Sequence, residues 1–132
     1  MEDLNQKTAE EELKKGYQDA SELLENKDKM EEFLQKLEHK LQLVPVAGDT
    51  LSMVPTMISL IKSYIKKEYK DIPTGTIIAV ISALTYWLAP VDIIPDIVPG
   101  WGYVDDTLVI GACIKLVKDD LNDYKKWRDA NK

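Results

Sequence analysis

Four carboxylates fall around one proline-rich connector: Asp92, Asp96, Asp105 and Asp106. Acids gathered at one hairpin end repel one another unless a cation or protons intervene. An all-oxygen set without His or Cys suits Mg²⁺, Mn²⁺ or Ca²⁺. If the segment makes a helical turn, the spacing of Asp92 and Asp96 places both on one side. The chemical reading is a divalent-ion site that receives a phosphate-bearing ligand. The competing reading is structural, and it weighs more. Asp92 and Asp96 each suit the cap of a short turn. Asp105 and Asp106 suit the positive end of the next helix, by about 0.3–1 kcal/mol each.

Other reactive side chains are few. His39 is the sole histidine and sits between Glu38 and Lys40, which reads as a solvent-facing position. A Ser-His-Asp or Cys-His centre would have to use it, far in sequence from Cys113. Cys113 falls on an apolar stripe, where packing is the expected role. There is no phosphate-binding glycine loop, no dinucleotide fingerprint and no zinc-ligand pair. Tyr86, Trp87, Trp101 and Tyr103 surround the connector as packing residues, and such residues also suit a membrane interface.

The connector itself, residues 89–106, forbids a long helix. Pro90, Pro95 and Pro99 each lack a backbone N–H and push the preceding residue out of the α region. Pro99-Gly100-Trp101-Gly102 reads as a tight turn leading to Tyr103. Val91, Ile93, Ile94, Ile97, Val98 and Val104 make the stretch too apolar for a solvated loop. It is expected to be the packed tip of a helical hairpin.

The elements on either side follow from periodicity. Residues 1–43 hold twelve acids and seven lysines. Leu13, Tyr17, Ala20 and Leu24 recur at helical spacing, as do Met30, Phe33, Leu34, Leu37 and Leu41. Gly16 weakens the first helix by up to about 1 kcal/mol relative to alanine, and Asn26-Lys27-Asp28 is placed to end one helix and cap the next. These helices could fold over the rest of the chain, pair with a second copy, or remain partly disordered. A break at residues 44–50 offers Asp49 or Thr50 as a cap. Pro55 opens a helix that runs to about Tyr69, with Met57, Ile58, Ile61, Tyr64 and Ile65 inward. Residues 74–91 are 18 residues without a charge, with Ile77, Ile78, Val80, Ile81, Leu84, Trp87 and Leu88 on all sides. Gly75, Ala79, Ser82 and Ala83 would let neighbours come close. A final helix from about Tyr103 to Trp127 turns Ile110, Cys113, Ile114, Val117, Leu121 and Tyr124 inward. The fold class is all-α: a small bundle of about four or five helices around a central apolar hairpin. The division expected is an acidic amphipathic segment, 1–43, and a helical domain, 44–132.

Composition bounds the function. The 132 residues suit one domain. A net charge of −6 argues against a nucleic-acid binder, which needs a basic face. A single cysteine excludes an intramolecular disulfide and suits a reducing compartment. The N-terminus lacks the pattern of a signal peptide, so a cytoplasmic location is expected.

The run Leu84-Thr85-Tyr86-Trp87-Leu88-Ala89-Pro90-Val91-Asp92-Ile93-Ile94-Pro95-Asp96, followed by Gly102-Tyr103-Val104-Asp105-Asp106, resembles the signature of the YkvA-like family. The prolines and all four aspartates fall in register. The resemblance covers about residues 72–127 and weakens back to Val44. It implies a mostly bacterial domain without an established activity, whose members are often described as membrane-associated on hydropathy.

A helix apolar on every side belongs at a bundle centre or in a bilayer. The charge-free run approaches the roughly 20 residues that a span needs, and lysines flank the hairpin as the positive-inside rule asks. Its partner arm has only eight uncharged residues between Asp106 and Lys115, about 12 Å of helix. Four aspartates would also have to cross, at about 2.5–3.5 kcal/mol each. The leading expectation is a non-catalytic binding or scaffold module, acting on a protein partner or a membrane surface, with homo-oligomerisation through the N-terminal helices as a further route. The alternatives are a divalent-cation-dependent binding protein or hydrolase using the aspartates, and an integral two-pass hairpin.

Overall fold

The computed structural model describes residues 10, 11, 13–43, 48, 50–88 and 106–131, with only the backbone placed at 106 and 107. Among these residues every regular element is helical. Residues 13–15 are helical and lead through Gly16 into α1 (Tyr17–Glu25). Then come α2 (Lys27–Leu43), a 3-10 turn (Leu51–Met53), α3 (Val54–Ile65), α4 (Thr74–Leu88), α5 (Asp106–Leu116) and α6 (Lys118–Ala130).

Local chemistry explains most boundaries. Asn26 leaves the helical region after α1, and its Oδ1 accepts the Lys29 N–H at 3.0 Å, capping α2. Pro55 sits in the first turn of α3, where its missing donor costs nothing. α3 stops earlier than its periodicity suggests, at Ile65 rather than near Tyr69. The Glu68 N–H bonds Ser63 O at 2.9 Å and the Lys67 N–H bonds Tyr64 O at 3.0 Å, with Lys67 at φ 63°. That is a Schellman ending, with a lysine where glycine usually stands. Thr50 precedes the 3-10 turn without a side-chain capping bond. Asp49 lies outside the described residues.

α4 is the axis of the bundle. It packs on α1, α2, α3 and α5. Ile77, Val80, Ile81 and Leu84 are fully buried, as are Ala79, Ser82, Ala83 and Trp87 to within a few per cent. The N-terminal stripes join the same core, through Leu13, Ala20, Met30, Phe33 and Leu37. Of the small residues, Ala79, Ser82 and Ala83 are buried. Gly75 is exposed with open space around it, so no neighbour approaches there.

The last helix is not continuous. It breaks at Val117 (φ −110°, ψ 19°). α5 packs on α4 and α6 packs on α3, so the chain changes partner at the break. The inward stripe survives the bend, with Ile110, Cys113, Val117, Leu121 and Tyr124 all buried and Ile114 partly so. Asp120 is half-buried and accepts a 2.6 Å bond from Thr76 Oγ1.

α4 has 15 residues, about 22 Å of helix against the roughly 30 Å of a bilayer core. Among the described residues no helix is long and apolar enough to cross a membrane.

Candidate functional site

Of the sequence-expected site, Asp92, Asp96 and Asp105 lie outside the described residues, and Asp106 is placed only as the first residue of α5. The tip residues Pro90, Pro95, Pro99, Gly100, Trp101, Gly102 and Tyr103 also lie outside them. Among the described residues no group of three or more His, Cys, Asp or Glu is arranged to hold a metal ion.

What the structure does place is the end of the bundle from which that stretch leaves. The last carbonyls of a helix have no intrahelical partner, and they carry the negative end of its dipole. At the end of α4 the Lys40 ammonium, from α2, donates to the Trp87 carbonyl. The same ammonium lies 4.6 Å from the centroid of the Trp87 ring. One cation thus meets a helix terminus and an aromatic face together. Beside this contact runs an open groove of about 610 Å³ between α2 and the α4 terminus. Among the described residues, Glu32, Gln35, Lys36, His39, Lys40 and Leu43 of α2 and Leu88 of α4 line it. Lys36 pairs loosely with Glu32, at 3.4 Å. Leu43 is 68% exposed, the most of any large apolar residue described. His39 is exposed, as the sequence indicated.

The opposite end is closed by polar and aromatic packing. The Tyr124 hydroxyl lies 2.6 Å from Ser59 Oγ and 3.0 Å from Ser63 Oγ, two serines one turn apart on α3. Tyr69, Tyr124 and Trp127 form a ring cluster with centroids 5.0–5.8 Å apart. Burial, then the carboxylates of Asp123, Asp71 and Asp120, hold the Tyr69 phenol above its ordinary value. Cys113 is fully buried, 3.5 Å from Ala79 O, and burial pushes its thiol up to about 12. Such a thiol is a packing group, since the nucleophile is the thiolate.

Sequence reasoning missed the groove. Its signal was present: Leu43 falls off the stripe formed by Met30, Phe33, Leu37 and Leu41, roughly opposite Leu41 on the helix at about 100° per residue. An apolar residue off its stripe is left without core to cover it.

Comparison with known proteins places these features. A family model described as a protein of unknown function (DUF1232) matches residues 76–112, from the first turn of α4 into α5. The chain is 32% identical over 75 residues to the uncharacterized membrane protein YkvA of Bacillus subtilis (strain 168), covering 57% of this chain and 71% of that protein. No solved structure matches. The hairpin helices that carry the match are those that build the bundle centre, and the chain belongs to the YkvA-like family of proteins of unknown function.

Proposed function

We propose that the chain is a non-catalytic binding or scaffold module that works on a membrane surface without crossing the bilayer. The burial of α4 carries this reading. The most apolar helix of the chain is covered by α1, α2, α3 and α5, so its apolar surface serves the fold. A helix covered in this way has little surface left for lipid. Association with a membrane is supported by the name of the Bacillus relative, described as a membrane protein, and by Leu43, left 68% exposed at the end of α2.

Fractionation of cells expressing the chain tests this. The protein is expected to sediment with membranes and to be released by alkaline carbonate. Retention until detergent is added would overturn the surface reading in favour of an integral one. Failure to sediment with membranes at all would end the membrane reading.

A further inference from the structure

We infer that α1, with the helical residues 13–15 before it, is a displaceable strap on the central helix. It lifts from α4 about a hinge at Asn26 and leaves α2 to α6 folded. The most apolar helix of the chain is then sealed or shown without unfolding of the bundle. The inference stands apart from the membrane reading, since it concerns what covers α4 and not what meets it.

α1 depends on its seat. It has nine residues, the fewest of the α-helices described. A helix shorter than about 12 residues is marginal alone in water. No side chain caps its start, where Gly16 stands. α2 is held more firmly, by buried Met30, Phe33 and Leu37, by the Lys40 bond to α4 and by the Glu38 pair with Lys62 of α3.

The seat is separable. The strap packs on α4 and α2, with Leu13 and Ala20 as its buried anchors. Ser82 Oγ donates to Leu13 O across the seat at 2.6 Å. Lifting strands neither group. The Leu13 carbonyl meets water, and a helical serine can bond the carbonyl four residues back, as Thr85 Oγ1 bonds Ile81 O at 2.8 Å. Against α5 the fit is incomplete. A cleft of about 230 Å³ is lined by Glu10, Leu13 and Lys14 on one side and by Ala112, Lys115 and Leu116 on the other.

The hinge is in place. Asn26 is extended between the two helices, at φ −113° and ψ 103°. Its Oδ1 caps α2 through the Lys29 N–H, so the start of α2 is secured without α1.

Native-state hydrogen exchange, read amide by amide, tests the strap. The α1 amides are expected to exchange as a set, about tenfold or more faster than the buried amides of α2 and α4. Tyr124→Phe weakens the bundle at α3 and α6, away from the seat. It should speed the α4 amides about tenfold and leave those of α1 unchanged, because the strap opens without the bundle. Leu13→Ala removes an anchor and should speed the α1 amides about a hundredfold. One common rate for α1 and α4, rising together in Tyr124→Phe, would overturn the strap. Amides of α1 and α2 that open together would overturn the hinge at Asn26. Fast α1 amides that Leu13→Ala leaves unchanged would show fraying in place of a docked strap, and would overturn the inference as well.

Discussion

Lys40 and Trp87 meet twice, once through the indole face at 4.6 Å and once through the backbone carbonyl that accepts from the ammonium. They are 47 residues apart, and their contact ties α2 to the terminus of the central helix. The cap contributes about 0.3–1 kcal/mol and the ring contact about 0.5–1 kcal/mol. Lys40→Met keeps the aliphatic stem and removes the charge. It should cost about 1 kcal/mol, seen as a fall in Tm of roughly 3–6 °C for a chain of this size. Lys40→Arg should lose less. An unchanged Tm in Lys40→Met would show that the contact carries no stability.

Gly16 sets two magnitudes against each other. Its φ of −84° suits any residue, and alanine there would favour the helix by up to about 1 kcal/mol. A Cβ at Gly16, however, would overlap Ser82 Oγ, which donates to Leu13 O at 2.6 Å in the buried α1–α4 contact. Overpacking of that kind costs about 1–3 kcal/mol, so crowding wins. Gly16→Ala should destabilise in urea unfolding. Adding Ser82→Ala should recover part of the loss, because the remaining Ser82 Cβ stands 3.4 Å away. Strictly additive losses in the double variant would refute the close-approach account.

Lys67 occupies the left-handed region at φ 63°, which costs an L-residue about 1–2 kcal/mol. Glycine pays no such cost but loses more freedom on folding. Lys67→Gly should therefore stabilise by a net amount of about 0.5–1 kcal/mol, measured by thermal unfolding. Destabilisation would mean that the lysine side chain makes a contribution larger than the backbone strain.

The Tyr124 hydroxyl bonds Ser59 and Ser63 at a fully buried position. Tyr124→Phe leaves both serines without that partner and should cost about 1–2 kcal/mol. Removing all three hydroxyls, with Ser59→Ala and Ser63→Ala added, should cost less than the sum of the single changes, since no polar group is then stranded. Denaturant unfolding of the set reads this coupling directly.

Cys113 links stability to alkaline pH. Its thiol is pushed from 9.0 up to about 12 by burial. Above 9 the unfolded chain loses this proton and the folded chain keeps it, so stability is full below pH 9 and falls as pH rises from there toward 12. The slope from this one group approaches about 1.4 kcal/mol per pH unit between the two values, and amounts to about 1 kcal/mol over the first unit above 9. Comparing Cys113→Ala with the unaltered chain between pH 9 and 10 isolates it. The same burial should make alkylation of the folded protein slow, at a rate set by opening.

The sequence by itself determined where most helices lie and which faces they bury. Asn26, Pro55 and the stripes of α1, α2 and α3 act through neighbours within a turn or two, so their effects are written locally. The all-round apolar character of residues 77–88 likewise announced a central helix. Only the tertiary structure decided what meets what. The Gly16 approach to Ser82, the Tyr124 bonds to α3 and the Lys40 cap on α4 join residues 47 to 69 positions apart, or bring backbones together in ways no residue type specifies. The break at Val117 belongs with them. Its stripe is unbroken in sequence, and it bends because α5 packs on α4 while α6 packs on α3. Periodicity records which side of a helix is apolar, but the partner that covers that side is chosen when the whole core closes.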